Sequence, residues 1–479
     1  DEALRAALAD ADAEVRLAAI EALPGVAAGD LVPLLRDPDA RVRAVAAARS
    51  PATADQLARM LASADPGEQL AALAVASEAH ADQIATLVGV ADPALRAAAL
   101  ARLAAVAPDR VPVDAIARAL GDPAAEVRRR AAEVLASAGS AGVEAAAAYL
   151  ADANEATAAA ALEAVAAGVH PRRRHLLSAE LRRRAGLAWH ALAGLRFLPD
   201  GEPESRFVRA AATDTFVRQR RIAFHALELL ESPRVVRRVE RALRYGGARA
   251  RGDALEVLSN LGDRIAARML VLLHEPGAIE ERAAALGGAA ALPASRATFL
   301  ADALRSDDRW LRTALAAGAA RVGETANAET AVMERLLALK RVPLFENLNL
   351  DQLEAVLRLA RDAAYLPDEV IVREGDPGGE LFLLLEGSAE AWLDYGGPAA
   401  RQLSTMPAGS YFGEMAILDD APRSATVVAC EPARLLALDG ESLKSLIREM
   451  PEISIELIRV MTARVRAAER RLLAPRQGR

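Results

Sequence analysis

The sequence predicts an α-solenoid over residues 1–335, followed by a small β-barrel or jelly-roll domain with flanking helices over residues 336–479. Two patterns lead to this prediction: alanine-rich helical segments recur at a nearly constant spacing, and short valine- and leucine-rich runs between glycine turns follow from about residue 341. Aromatic residues make up only 3% of the chain, and Tyr149 is the only one before Trp189. Closely stacked short helices favour such small side chains.

An aspartate opens an apolar helical pattern six times in the first part of the chain. These aspartates are Asp10, Asp37, Asp65, Asp92, Asp122 and Asp152, at intervals of 27, 28, 27, 30 and 30 residues. Proline follows the second, third, fourth and fifth of them directly. Aspartate at an N-cap accepts orphan N–H groups, and proline is tolerated at the first helical position, so these aspartates are predicted to mark helix starts. A period near 30 residues is typical of a solenoid unit.

An apolar residue stands five positions after the aspartate, as at Val15, Val42, Leu70 and Val127, and arginine follows three of these. With alanines at i+3 and i+4, each helix has one stripe to bury, and one unit cannot bury a stable core without its neighbours. The pattern Asp-Pro-x-x-x-Val-Arg, followed by Ala-x-x-Ala-Leu, resembles the short bacterial form of HEAT-type repeats. This resemblance, clear to about residue 165, implies two antiparallel helices per unit and roughly ten units.

Two arginine runs interrupt the repeat between residues 168 and 210. They lie at residues 171–175 and 182–184, with Trp189 and Phe197 nearby. One interpretation is a docking patch for an acidic or phosphate-bearing partner. The other is a solvated helix face at an irregular repeat. Both interpretations stay open at the level of sequence.

The pattern of the chain changes after residue 340. Strands are predicted at residues 370–372, 381–385, 389–393, 426–428 and 434–438, separated by glycine-containing turns. Two helices are predicted to follow, at about residues 440–449 and 451–473. Many short strands with glycine turns indicate a small barrel or jelly roll.

Residues 411–427 contain the most informative pattern. Gly413 precedes a helical turn that begins with Glu414, and Arg423 follows nine residues after this carboxylate. The start of a helix offers unpaired N–H groups to an anion, and a nearby arginine adds a charge-assisted contact with phosphate. The carboxylate of Glu414 cannot hold phosphate itself and suits the hydroxyl groups of a sugar, which donate hydrogen bonds to it.

The segment Phe-Gly-Glu-Met-Ala-Ile at 412–417, with Arg-Ser-Ala-Thr-Val at 423–427, resembles the phosphate-binding cassette of cyclic nucleotide-binding domains. The resemblance covers about residues 340–473. It implies that Glu414 binds the ribose 2′-hydroxyl and that Arg423 binds the cyclic phosphate, with backbone N–H groups near Ala416 and Ser424 completing the phosphate site. The predicted binding residues are Gly413, Glu414, Met415, Ala416, Arg423, Ser424 and Ala425.

The expected ligand is cAMP or cGMP. Ser424 is compatible with both purines and modestly favours cAMP, by comparison with the residues that relatives use at this position. Residues 341–440 carry 7 basic and 17 acidic side chains, a net charge of −10. The domain as a whole therefore repels a nucleotide, and the attraction must come locally from Arg423.

Several classes of protein are not expected. The six histidines lack metal-ligand spacing, no nucleophile elbow or P-loop is present, and Cys430 is the only cysteine. We therefore expect no catalytic residues, no metal site, no catalytic cofactor and no enzymatic activity. A net charge of −7, and no winged helix after the last predicted helix, argue against DNA binding. No stretch of about 18 residues is apolar enough to span a bilayer.

The predicted function is that of a cytoplasmic, bacterial-type regulatory or sensor protein, in which nucleotide binding alters how the C-terminal domain docks on the solenoid or on a partner. The expected partners are the cyclic nucleotide and a protein bound through the solenoid surface. One alternative is the cytosolic portion of a larger bacterial membrane protein, because this domain combination resembles the tails of nucleotide-transporter-like proteins and the chain starts at Asp1. The other is a structural solenoid with a vestigial barrel.

Overall fold

The computed structural model describes residues 2–23, 28–49, 54–107, 113–202, 205–320, 328–419, 421–450, 453–462 and 466. The chain forms two compact units. The first comprises Asp1–Ala185 with Arg220–Pro276, and the second Gly186–Gln219 with Gly277–Arg479. The domain division at residues 335 and 336 stays a prediction. Within the described residues, no helix combines the length and the apolar composition that a membrane span needs.

Helices occupy most of the described residues before residue 360. The first twelve are α1 Glu2–Ala7, α2 Ala13–Ala22, α3 Ala28–Leu31, α4 Ala40–Ala48, α5 Ala54–Leu61, α6 Pro66–Val75, α7 Ala81–Leu87, α8 Pro93–Val106, α9 Val113–Arg118, α10 Ala125–Ser137, α11 Gly139–Ala147 and α12 Glu155–Ala167. The next ten are α13 Arg173–Leu195, α14 Arg206–Leu230, α15 Pro233–Tyr245, α16 Ala248–Ser259, α17 Arg264–His274, α18 Ile279–Ala285, α19 Arg296–Arg305, α20 Arg309–Ala320, α21 Ala328–Lys340 and α22 Leu350–Leu359.

Helices one period apart pack against each other in the first unit. Helix α2 contacts α4, α4 contacts α6, α6 contacts α8, α8 contacts α10, and α10 contacts α12. The two core clusters formed by α2, α4, α6, α8 and their neighbours are rich in alanine and leucine. Val42 and Val127 are buried as predicted, whereas Val15 and Leu70 are 40% and 36% exposed, contrary to the expectation. The packing agrees with stacked units, and the assignment to HEAT-type repeats stays a prediction.

The predicted helix caps are correct for two of the six aspartates. Asp65 and Asp92 are the N-caps of α6 and α8. For the other four the prediction is wrong, because the cap lies two residues later and the aspartate accepts the N–H of that cap residue. The pairs of predicted and observed caps are Asp10 and Asp12, Asp37 and Asp39, Asp122 and Ala124, and Asp152 and Asn154.

Two of these displaced aspartates link neighbouring repeats. Arg16 donates from Nε and Nη2 to the two carboxylate oxygens of Asp37, at 2.8 Å each. Arg96 makes the same two contacts with Asp122, again at 2.8 Å each. Each arginine also donates from Nη1 to two backbone carbonyls just before its own helix. These two arginines therefore satisfy backbone carbonyls before their own helices and also bind an aspartate that lies further along the chain.

Two arginines of the second run, Arg183 and Arg184, form hydrogen bonds within the protein. Arg184 is buried and donates to the Glu180 carboxylate and, at 2.8 Å, to the carbonyl of Asp152. Arg183 also donates to Glu180, at 2.8 Å from two of its nitrogens. These contacts account for two arginines of this run, whereas residues 171–175 are exposed. The docking interpretation of the two runs stays a prediction.

The C-terminal domain contains two four-stranded antiparallel sheets, consistent with the predicted jelly roll. The strands are β1 Arg361–Tyr365, β2 Val370–Val372, β3 Glu380–Glu386, β4 Ser388–Leu393, β5 Arg401–Pro407, β6 Tyr411–Phe412, β7 Thr426–Ala429 and β8 Ala433–Asp439. Their order is β1-β8-β3-β6 in one sheet and β2-β7-β4-β5 in the other. All five predicted strands are confirmed, and three further strands, β1, β5 and β6, had not been predicted.

Strand β3 is buried on both faces, which explains its continuous apolar run. Successive side chains of a strand point to opposite faces. Phe382 and Leu384 therefore lie in the core between the sheets. Leu381, Leu383 and Leu385 lie in a second core with residues of the surrounding helices. By contrast, six of the seven residues of β5 are exposed, so no hydrophobic pattern marks this strand.

Two helical segments follow the sheets. Helix α24, Gly440–Glu449, confirms the predicted helix at 440–449. Residues 453–462 are also helical, inside the range predicted for the last helix. Apart from residue 466, the remainder of that prediction, up to residue 473, lies outside the described residues. A short helix, α23 Glu414–Leu418, lies between β6 and β7.

A buried ion cluster in the second unit joins three helices. Arg218 of α14 is 1% exposed and donates from Nη2 to the carboxylate of Asp308, while its Nε lies 3.5 Å from that of Asp214. Asp308 also accepts the N–H of Trp310 at 3.0 Å, at the start of α20. Asp214 accepts the N–H of Leu350 at 2.9 Å, at the start of α22. Burial raises the pKa of Asp214, against the opposing charge of Arg218.

We expect Asp308→Ala to lower the free energy of unfolding of the second unit by about 3–5 kcal/mol, because it removes one partner of a buried ion pair and a helix cap. All three tryptophans lie in this unit, so urea unfolding followed by tryptophan fluorescence reports on it. The matched control is Asp302→Ala, at a partly exposed pair with Arg305. The control should cost less than about 1 kcal/mol, and equal losses for the two variants would contradict the assignment.

Candidate functional site

All seven predicted binding residues line one cavity of about 610 Å³ in the C-terminal domain. The cavity lies beside the short helix α23 and the segment that leads into β7. The residues that the structure brings together here are Gly413, Glu414, Met415, Ala416, Arg423, Ser424 and Ala425. Their placement at one cavity agrees with a shared role, and the role of each residue stays a prediction.

Gly413 allows the chain to turn from β6 into α23. Its φ angle is +93°, in the left-handed region that residues with a side chain rarely adopt. A Cβ atom at this position would lie 2.5 Å from Nη1 of Arg423 and 2.6 Å from the carbonyl oxygen of Glu380. Glycine is therefore required both by the backbone conformation and by the close approach of the arginine.

The backbone and the side chain of Arg423 are both held in place. Its N–H donates to the carbonyl of Asp376 at 2.8 Å, and its carbonyl accepts the N–H of Gly375 at 2.9 Å. Its Nη1 donates to the carbonyl of Gly413 at 3.2 Å. The guanidinium carbon lies 5.7 Å from the centroid of the Phe382 ring, within the range of a cation–π contact. The position of the arginine is thus fixed by contacts within the protein.

The charge of Arg423 is incompletely compensated within the protein. The residue is only 7% exposed, and among the described residues no carboxylate oxygen lies within 4.0 Å of its guanidinium nitrogens. Burial lowers the pKa of Arg423, whereas the charges of Glu380 and Glu414 act in the opposite direction. A guanidinium remains protonated even so, which leaves a buried cation at the cavity wall.

Glu414 supplies an acceptor at the same cavity. It is the first residue of α23 and is 1% exposed. An ionised carboxylate can only accept hydrogen bonds, so it repels an anion and suits a hydroxyl donor. Arg423 and Glu414 therefore offer one position for an anionic group and another for a hydroxyl group within the same cavity.

Several residues of the site carried no recognisable signal in the sequence. A Cβ atom on Gly378 would lie 2.2 Å from the Cβ of Ala416 and 3.2 Å from Cδ and Nε of Arg423. This glycine stands in a predicted turn, but its neighbour Gly379 looks the same in the sequence. The cavity wall also includes residues from β2, from the unpredicted strand β5 and from two helical segments. They include Val372, Leu403, Ser404, Met406, Pro343 and Val460.

Comparison with known families matches the same part of the chain. Residues 363–450 match the family model described as cyclic nucleotide-binding domain. This range includes all eight strands except the first two residues of β1, together with α23, α24 and the seven cavity residues. The chain therefore carries a C-terminal cyclic nucleotide-binding domain.

Individual relatives match over a similar length. The cyclic AMP receptor protein of Thermus thermophilus is 33% identical over 27% of this chain and 61% of its own length. A cAMP-dependent protein kinase regulatory subunit of Colletotrichum orbiculare is 33% identical over 23% of this chain and 27% of its own length. The chain thus spans less than two thirds of these curated relatives. The crystal structure of a cyclic nucleotide-binding domain from Methylobacillus flagellatus is 28% identical, covers 31% of this chain and 86% of that chain, and has a TM-score of 0.28.

We expect Gly378→Ala to lower the free energy of unfolding by about 1–3 kcal/mol, because the added methyl group overlaps Ala416 and crowds Arg423. Gly379→Ala is the matched control, since nothing lies within 4 Å of the added methyl group. The control should change stability by no more than about 0.5 kcal/mol. Urea unfolding of both variants tests this difference, and equal stability of the two would show that Ala416 and Arg423 do not pack closely against Gly378.

Proposed function

We propose that the chain is a regulatory protein that binds a cyclic nucleotide, cAMP or cGMP, in the cavity beside Arg423. The observation that carries this proposal is the pairing, in one cavity, of a buried arginine with a buried acceptor, Glu414. A cyclic nucleotide presents an anionic phosphate and a ribose 2′-hydroxyl as part of one small molecule. The match of residues 363–450 to the cyclic nucleotide-binding family supports the same ligand class.

Arg423 would bind the cyclic phosphate. Because its side chain is already oriented by Gly413 and Phe382, little conformational entropy is lost when the ligand arrives. The phosphate of the ligand would supply a negative charge next to this buried guanidinium, since none of the described carboxylates forms an ion pair with it. Since residues 341–440 carry a net charge of −10, this local contact must overcome a repulsive field from the rest of the domain.

Glu414 would accept a hydrogen bond from the ribose 2′-hydroxyl. This contact places the sugar next to α23, while the base extends along the remaining cavity wall. Leu403 and Met406 of β5 and Val460 of the last described helix offer apolar surface there. Ser424 is compatible with either purine. The names of the two curated relatives, a cyclic AMP receptor and a cAMP-dependent kinase subunit, favour cAMP.

The regulatory step would be a change in the helices that border the cavity. Pro343 and Val460 both line it, and Asn347 donates from Nδ2 to Glu456 at 2.8 Å, which joins the segments that carry them. A ligand that contacts both segments favours one of their arrangements, as a population shift requires. In our proposal this change alters docking to the helical repeats or to a partner protein, and the nucleotide is bound without being chemically altered.

We expect Arg423→Ala to weaken binding of the preferred nucleotide by about 100-fold or more, because it removes two charge-assisted hydrogen bonds to the phosphate. Isothermal titration of the full chain with cAMP and with cGMP measures this loss. The control is Arg434→Ala, at an exposed pair with Glu386 in the same domain, and it should bind as the unmodified chain does. Unchanged affinity in Arg423→Ala would refute the phosphate contact, and binding of neither nucleotide by the unmodified chain would refute the proposed function.

The role of Glu414 predicts a preference for the 2′-hydroxyl. The unmodified chain should bind cAMP about 10–100-fold more tightly than 2′-deoxy-cAMP, because a hydrogen bond to a charged acceptor is lost. In Glu414→Gln the preference should shrink to about tenfold or less, since a neutral acceptor makes a weaker bond. Competition titrations measure both ratios, with Glu386→Gln as the control that keeps the full preference. A preference that is identical in the two variants would exclude this role for Glu414.

A further inference from the structure

A strongly basic surface of the first unit lies on α15 and the start of α16. Residues 233–251 contain seven arginines and one glutamate, a net charge of +6, in a chain whose total is −7. The proposed nucleotide site uses none of these residues. Such a concentration of one sign of charge creates a local field that attracts anions within about 8 Å at physiological salt.

Helix α15 separates its apolar and basic residues onto opposite sides. Val236, Val239 and Leu243 are buried against the protein. The arginines on the other side are all exposed and recur at three- and four-residue spacing, which places them in two adjacent rows. We call these five residues the basic face: Arg234, Arg237, Arg238, Arg241 and Arg244. The apolar side of this helix is already used, so only the basic face is open to a partner.

The acidic residues near α15 leave most of this face uncompensated. Glu240 is only partly exposed. Its charge acts on Arg220: burial lowers the pKa of Arg220, and the charge of Glu240 opposes this effect. Arg237 pairs with Glu228 at 3.0 Å. Within the part of the chain that the structure describes, Arg234, Arg238 and Arg241 have no carboxylate oxygen within 4.0 Å.

The end of α15 extends this surface. Tyr245 is 63% exposed, and the guanidinium carbon of Arg244 lies 5.3 Å from the centroid of its ring. Arg251 of α16 donates from Nε to the carbonyl of Leu243 at 3.1 Å, which brings a further cation beside the helix end. Tyrosine with neighbouring cations is a combination typical of surfaces at the level of lipid headgroups.

We propose that the basic face binds the anionic headgroups of a lipid bilayer. Two rows of arginines present charge over a broad face, which fits a plane of headgroups. A site for single-stranded nucleic acid would combine a basic groove with several stacking aromatic residues, whereas Tyr245 is the only aromatic residue in residues 233–259. Because the apolar side of α15 is buried, the contact is electrostatic and lies at the membrane surface without insertion of the helix.

The test is cosedimentation of the full chain with vesicles of phosphatidylcholine alone and with about 30% phosphatidylglycerol added. We expect binding only to the anionic vesicles, with loss of binding as the salt concentration rises from about 50 to 500 mM. The triple variant Arg234→Gln, Arg238→Gln, Arg241→Gln should bind about 100-fold more weakly, because each basic residue near such a surface contributes about fivefold. These three residues are exposed, so the fold should be retained, as circular dichroism would show.

The control variant makes the same change in net charge elsewhere in the first unit. It combines Arg36→Gln, Arg59→Gln and Arg118→Gln, at three exposed arginines outside the basic face. Vesicle binding that survives in the control and is lost in the basic-face variant supports the proposal. Equal binding by the two variants, or no binding by the unmodified chain, overturns it. Binding of a single-stranded RNA oligonucleotide through the same arginines, without vesicle binding, would also overturn it in favour of nucleic acid.

Discussion

The burial of β3 on both faces is the constraint on which the C-terminal domain depends. Leu383 and its neighbours on one face join the helical core, while Phe382 and Leu384 on the other fill the space between the sheets. Phe382 also lies beside the guanidinium of Arg423. The same strand therefore holds the sheets to the helices and supports the cation at the cavity, which ties the geometry of the site to the packing of the core.

Arginine plays different physical roles at different depths in this protein. Arg218 is almost fully buried between two carboxylates, and there its charge is matched inside the fold. Arg423 is nearly as buried, but its observed side-chain hydrogen bond is to a backbone carbonyl. Arg238 is exposed on a basic helix face. The number of arginines in the composition is thus uninformative, because their function depends on burial and on the nearest opposite charge.

Much of the site could be predicted because its chemistry lies in one short segment. Glu414 and Arg423 are nine residues apart, and the glycine before them marks the turn that the structure confirms. The strand at 381–385 was equally clear, because a strand buried on both faces has a continuous apolar run. By contrast, β5 was missed, since an exposed strand carries no such pattern, and its contribution to the cavity wall was missed with it.

The types of most elements and the pair of charged groups at the site could be predicted from the sequence, because helical periodicity, strand alternation and turn residues act between near neighbours in the chain. The partners of residues that are distant in the chain become known only from the fold. Asp37 was expected to cap its own helix, yet it binds Arg16 of the preceding repeat. Gly378 and Gly379 look alike in sequence, and only the position of Arg423 distinguishes them. Burial and ion pairing depend on residues far apart in the chain, which no local pattern records.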